Sequence, residues 1–257
     1  MTYLFVSDLH YVLKQFDWVS AVAKKVDLVI IGGDLLDLSS TVDAQVQITV
    51  MLKYLRRLAE KVRVIICSGN HDLDARNEDG EKFASWVHRA GAYDVHKDND
   101  SVEVEGVLFT VCPWWDGPKT RDAVDRLLAR DAVKPKNRWV WVYHSPPTES
   151  PTSLTRKRHI GDADLACWIK QYGPDMVLTG HIHESPFVSG GSWVDRIGGT
   201  WVFNPGRQIG PQPTRIFFDS NASTATWLSL AGIEFVDLNV PLSRPLAEPT
   251  EIPHWIT

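Results

Sequence analysis

Five short apolar runs in this chain each stop at a polar signature. The runs are Tyr3–Ser7, Leu28–Ile31, Val62–Cys67, Trp139–Tyr143 and Met176–Thr179. The signatures after them are Asp8-Leu9-His10, Gly33-Asp34, Gly69-Asn70-His71-Asp72, His144 and Gly180-His181-Ile182-His183. Runs this short and without alternation read as strands covered on both faces. A sixth, Val107–Cys112, ends before Trp114-Trp115. Helix-length segments separate them at Phe16–Val26, Thr41–Glu60, Glu78–Ala90, Arg121–Val133 and Asp162–Tyr172. In the second of these, Val46, Val50, Leu52, Leu55 and Leu58 supply an apolar stripe. Such alternation restricts the chain to a layered α/β architecture with much parallel pairing.

The pattern changes after His183. Trp201–Phe203, Arg215–Phe218, Thr226–Leu230 and Glu234–Leu238 read as short strands of a second, more antiparallel sheet. Pro241, Pro245, Pro249 and Pro253 then favour an extended strap. The expected organisation is one domain over residues 1–240, with residues 241–257 packed along it. A net charge of −5 weighs against broad binding to nucleic acid or acidic membranes. No apolar run is long enough to span a bilayer. A cleavable leader is not expected, since the first strand ends at Asp8 and His10. The three cysteines lack a Cys-x-x-Cys spacing, and Cys67 and Cys112 read as small buried hydrophobes. A reducing cytoplasm is the expected compartment.

Strand carboxyl ends converge on one rim in open α/β sheets. Side chains at i and i+2 of an extended segment share a face, which would pair Asp8 with His10 and His181 with His183. Asp8, His10, Asp34, Asn70, His144, His181 and His183 are then expected to bind two divalent ions, leaving His71 free for proton work. Two carboxylates offset only half the charge of two such ions, and the surplus suits a phosphoryl group. Imidazole, carboxylate and amide ligands together favour Mn, Fe, Zn or Co over Ca. Gly33, Gly69 and Gly180 read as sharp turns that aim these ligands. Asp72 and Asp74 read as caps, and Asp94, Asp98 and Asp100 as solvated surface. His88, His96 and His254 carry no assigned role, and His159 is left open.

In this order the signatures resemble the calcineurin-like metallophosphoesterase superfamily: Asp-x-His, Gly-Asp-x-x-Asp (Gly33 to Asp37), Gly-Asn-His-Asp, His, and Gly-His-x-His. The likeness extends over residues 3 to 206, through the Asn204-Pro205-Gly206 turn. It implies a four-layer αββα sandwich of two mixed sheets flanked by helices. It also implies that Asp8, His10, Asp34 and His183 hold one ion, and Asp34, Asn70, His144 and His181 the other. A hydroxide bridging the ions would attack phosphorus, His71 would assist the leaving group, and Asp37 would orient His71. Leu38 and Asp72 depart from the protein serine/threonine phosphatase branch and bring the chain closer to bacterial phosphodiesterase-like members.

The expected substrate is a small phosphate ester, most naturally a diester. Trp114 offers a stacking surface, with core packing as its other reading. Arg156 and Arg158 lie in a basic loop after His144, and Arg207 follows the Asn204-Pro205-Gly206 turn. Any of the three could reach a phosphoryl oxygen. The alternatives are a phosphomonoesterase, a nuclease, or a non-catalytic scaffold of the same fold.

Overall fold

The computed structural model describes residues 1–249. The first half of the chain runs β1 (Thr2–Val6), α1 (Leu13–Val22), β2 (Leu28–Gly32), α2 (Ala44–Ala59) and β3 (Arg63–Cys67). A hairpin of β4 (Ala75–Arg76) and β5 (Lys82–Phe83) follows, then α3 (Val87–Ala90) and β6 (Val95–His96). Next come β7 (Ser101–Val104), β8 (Val107–Val111), α4 (Pro118–Ala132), β9 (Arg138–Val142), α5 (Ala163–Tyr172) and β10 (Met176–Leu178). The last strands are β11 (Val194–Ile197), β12 (Thr200–Phe203), β13 (Arg215–Asp219), β14 (Thr224–Ser229) and β15 (Gly232–Asp237).

One sheet has the order β15-β14-β13-β1-β2-β3-β6, the other β11-β12-β10-β9-β8-β7. The first is parallel from β1 to β6 and turns antiparallel where β13 joins β1, and the second is parallel from β12 to β8 with antiparallel edges at β11 and β7. Three apolar layers account for the unbroken runs. In β1 and β2, Leu4, Val6, Val29 and Ile31 face α1 and α2, while Tyr3, Phe5, Leu28 and Ile30 face the other sheet. In β9, Val140 and Val142 meet that inter-sheet layer, and Trp139 and Trp141 face α4 and α5. A strand buried on both sides has no polar face to reveal alternation. The result is the four-layer αββα sandwich, with mixed sheets inside and helices outside.

Several local expectations need correction. The segment expected to be a helix over Glu78–Ala90 begins as the turn and second strand of the β4–β5 hairpin and is helical only over α3 (Val87–Ala90). Gly80 sits at φ +83° at the hairpin tip, and Asn77 Oδ1 accepts the amides of Asp79 and Glu81, closing the turn. The last strands do not form a separate sheet. β13–β15 extend the first sheet beside β1, and β11–β12 extend the second beside β10. The buried stripe of α2 is Ile48, Met51, Leu52, Leu55 and Leu58, with Val46 exposed. Asp43 caps that helix by accepting the Gln45 amide at 2.8 Å.

Residues 241–249 run along β15 and the second sheet. Ala247 O accepts the Phe235 amide, and Arg244 donates to Ser192 Oγ and Val194 O. Leu242 and Leu246 pack on the inter-sheet layer. Pro253 and His254 lie outside the described residues. Cys67 and Cys112 are buried and unpaired, as expected of small core residues. Among the described residues, no helix is long and apolar enough to cross a membrane.

Candidate metal centre

All five signatures follow strand carboxyl ends, three in the first sheet and two in the second. Backbone bonds knit them together. Asp8 N donates to Gly33 O, His10 N to Asp34 O, and Gly180 N to His144 O, at 3.1, 2.9 and 2.7 Å. Ligand carboxylates are themselves held by amides: Asp8 accepts His181 N and Asp34 accepts His71 N. The i, i+2 expectation fails in its mechanism. Asp8, His10, Tyr11, Asp34 and His181 all have positive φ, between 42° and 66°. Left-handed backbone, rather than an extended segment, turns these side chains inward. Such conformations cost energy in residues other than glycine and cluster at functional sites. Tyr11 packs against the helix-side core of the first sheet.

The glycines differ in their reasons. Gly33 needs its φ of +93°. At Gly69 a Cβ would collide with Asp34, and at Gly180 with Ser7 and Asp8. These two allow close approach of chain segments, so that the ligand loops meet.

Three groups of donors result among the described residues: His10, Asp37 and His71 form one, and the other two hold the expected ligands. Asp8, His10, Asp34 and His183 bring one ligand atom each within 4.8 Å of the others, and so do Asp34, His144 and His181. Asp34 belongs to both. His10 Nε2 and His183 Nε2 are 3.0 Å apart, and His183 Nε2 is 3.3 Å from Asp8 Oδ1. His144 Nδ1 donates to Gly32 O at 2.6 Å, which leaves the Nε2 lone pair facing Asp34 Oδ2 at 3.2 Å. Asn70 Oδ1 and His144 Nε2 are buried without a hydrogen-bond partner among the described residues. Buried lone pairs without a hydrogen-bond partner are what a cation would satisfy. The donor set therefore fits divalent metal ions.

The electrostatics agree. Burial works against charge on His144, but Asp34 and Asp8 overcome it and raise its pKa to about 10. Burial lowers His10 to about 4, and burial with the neighbouring His144 lowers His181 to about 4. Burial would raise Asp8 and Asp34, yet the surrounding imidazoles hold both below the ordinary carboxylate range. The field that draws a proton onto His144 is the field that would hold a cation.

His71 stands edge-on to His10, with ring centroids 4.5 Å apart. Its Nδ1 accepts the Leu38 amide at 3.2 Å, so the ring proton sits on Nε2. Asp37, the carboxylate expected to orient His71, lies 3.9 Å from Nδ1. Its Oδ1 is engaged by the amide and hydroxyl of Ser39. The backbone of Leu38 thus makes the hydrogen bond expected of Asp37.

Two further carboxylates escape the sequence reading. Asp72 is fully buried and accepts the amides of Leu35, Leu36 and Gly69, joining the loops that carry Asp34 and Asn70. Asp72→Ala leaves three buried donors unpaired, with an expected loss of about 3–5 kcal/mol of stability. Urea denaturation checks this value. Asp98 is buried rather than solvated and accepts the Ser68 amide, and burial pushes its carboxyl up to about 6. Ser68 Oγ in turn accepts the Trp114 amide at 3.0 Å. Asp74 does not cap the segment that follows it: it accepts the Ser85 and Trp86 amides across the β4–β5 hairpin.

The substrate candidates separate. Arg156 and Arg158 are exposed, and their side chains make no hydrogen bond or ion pair among the described residues. Arg207 comes to the centre: its amide donates to His183 O at 2.9 Å and its charge bears on His10. Its Nε is buried and unpartnered among the described residues. Trp114 is only half-buried, with its ring 5.2 Å from that of His181 and 5.7 Å from that of His144. It walls a cleft of about 450 Å³ that opens beside the donors.

The calcineurin-like phosphoesterase profile matches residues 1–185. No curated protein matches the chain. Among solved structures, the chain is similar to a protein of Thermus thermophilus, at 14% identity and a TM-score of 0.58. That match covers 92% of this chain and 98% of the other. It is also similar to a purple acid phosphatase from yellow lupin (Lupinus luteus) seeds, at 13% identity and a TM-score of 0.54. There 93% of this chain is matched but only 52% of the lupin enzyme, so the chain spans about half that protein. These structural likenesses concern the fold. The profile, spanning every signature up to His183, identifies the chain as a member of the calcineurin-like phosphoesterase family and a metal-dependent phosphoester hydrolase.

Proposed function

We propose that the chain hydrolyses phosphodiesters with two divalent transition-metal ions. Asp8, His10, Asp34 and His183 would hold one, and Asp34, Asn70, His144 and His181 the other. The observation that carries this reading is the sharing of Asp34 between two donor groups, with His144 Nε2 facing it and the Asn70 oxygen buried without a partner among the described residues. When bound, the ions supply Lewis-acid activation of water and of the phosphoryl oxygens. The remaining work falls to the chain. His71 presents its Nε2 proton to the leaving oxygen, with the Leu38 amide fixing that tautomer. Arg207 stands beside His10 and His183 to pair with a phosphoryl oxygen.

The diester preference is supported by two unlike flanks. His71 lies against His10, whereas Trp114 and its cleft lie against His144 and His181. A phosphorus bearing two organic arms uses both. A nuclease reading is disfavoured, because the cleft lining includes Asp116, Asp162 and Asp164 but no Lys or Arg. We further read residues 1–240 as one domain with the tail packed along it, and the free cysteines as suited to a reducing cytoplasm.

The test is a panel of bis- and mono-nitrophenyl phosphate, cyclic nucleotides and single-stranded DNA, run with Mn, Fe, Zn or Co. Diester hydrolysis is expected to dominate. Removal of metal by chelation should lower it at least about a hundredfold, and one of these ions should restore it. Turnover unaffected by exhaustive chelation, or a monoester preference, would refute the corresponding part of the reading.

A further inference from the structure

The cleft beside Trp114 is a built surface. The Trp115 indole N–H donates to Asp162 Oδ2 at 3.0 Å, and the Tyr143 hydroxyl donates to the same oxygen. Asp162 Oδ1 accepts the Asp164 and Leu165 amides at the start of α5. One carboxylate thus locks two aromatic walls and a helix end, and the walls need little ordering when a ligand enters. Trp114 is held differently, through its amide on Ser68, and leaves its ring half-buried beside His144 and His181. Ile160, 41% exposed, sits at the mouth.

The charge of the cleft has one sign. Asp164 is neutralised by Arg121, which donates from Nε at 2.8 Å and Nη2 at 2.6 Å. Asp116 and Asp162 face the same space and accept hydrogen bonds from neutral groups: the Lys82 amide for the first, indole, hydroxyl and amide for the second. An anionic group placed here meets like charge. A neutral ring gains stacking area, and a cationic one gains the ring faces as well.

The geometry points to this cleft as the seat of the organic arm that stays on phosphorus, and to a flat neutral or cationic ring as the arm it selects. This rests on the phosphodiester reading above and names its substrate class. Water forms the new P–O bond, and the P–O bond on the His71 side breaks. The departing oxygen takes the Nε2 proton, and a water proton replaces it in turn. The arm beside Trp114 leaves as a phosphate monoester.

Three diesters with a common 4-nitrophenolate leaving group test this: methyl, phenyl and 4-carboxyphenyl 4-nitrophenyl phosphate. Rates are divided by the uncatalysed rate of each. In the metal-loaded protein, kcat/KM for the phenyl ester should exceed that for the methyl ester about tenfold. The carboxyphenyl ester should lose that gain. In Trp114→Ala the phenyl-to-methyl ratio should fall toward one. In Ile160→Lys, at the exposed mouth, the carboxyphenyl ester should recover several-fold relative to the phenyl ester. A wild-type ratio near one, or a ratio unchanged in Trp114→Ala, overturns the inference while leaving diester hydrolysis intact. Hydrolysis of none of the three sinks the phosphodiester reading and the retained-arm assignment with it. Saturation-transfer NMR decides the cleft without turnover. Benzylamine should contact the wild-type protein and lose contact in Trp114→Ala, and benzoate should not bind. Benzoate binding equal to benzylamine overturns the selectivity.

Discussion

Asp34→Asn is expected to lower kcat about a thousandfold or more and to reduce bound metal below two ions per chain. Asp34 is the one carboxylate common to both groups of expected ligands, so its loss weakens both positions together. Lewis-acid stabilisation of a transition state is worth several kcal/mol, which sets the size of the effect. The asparagine keeps an oxygen that can accept the His71 amide, now made by Asp34 Oδ1 at 2.8 Å. The loops around residues 33 and 70 should therefore hold, and thermal unfolding should move little compared with the loss of rate. Metal content by elemental analysis, beside kcat, distinguishes this from simple misfolding. A variant that retained two ions and ordinary turnover would sink the shared-ligand assignment.

The site is legible in the sequence because its ligands sit where strand runs stop. The runs at residues 3, 28, 62, 139 and 176 need only length and hydrophobicity to be seen. Their ends have to converge once the strands are parallel. What pattern does not show is how residues 8–10 turn. Positive φ at Asp8, His10 and Asp34 is imposed by backbone bonds between β1 and β2 loops, which are tertiary. Asp72 misleads for a related reason. Its partners, the Leu35 and Leu36 amides, lie nearly forty positions earlier, so nothing local distinguishes it from a cap. Asp98 looks solvated because it stands in a polar stretch, although it is buried against Ser68. The β4–β5 hairpin is hidden by helix-length spacing, though Asn77 and Gly80 are available as turn signals. Strand order in the last third depends on which sheet edge is free, a question no local pattern poses.

His71→Ala is expected to keep both ions and lose turnover in proportion to the basicity of the leaving group. An alkoxide needs a proton as the P–O bond breaks, and a positioned acid contributes about a hundred- to ten-thousandfold to that step. A nitrophenolate leaves without one, so its hydrolysis should fall much less. Plotting log kcat against leaving-group pKa should therefore give a steeper negative slope for the variant than for the wild type. Equal losses across the series would remove the proton-donor role and leave His71 a merely structural neighbour of His10. Asp37→Asn supplies the contrast. Were Asp37 the orienting group, its neutralisation would reproduce much of the His71 defect. The carboxylate instead lies 3.9 Å from Nδ1, in partial contact with solvent, while the Leu38 amide makes the hydrogen bond. A half-exposed charge contact is worth no more than about 1 kcal/mol, so the expected loss is about fivefold at most. The asparagine can still accept from Ser39, which keeps the loop in place. A hundredfold loss in Asp37→Asn, with the same leaving-group slope as His71→Ala, would return the orienting role to the carboxylate. It would also mean that His71 works as an imidazolium rather than as the neutral Nε2–H ring that the Leu38 amide selects.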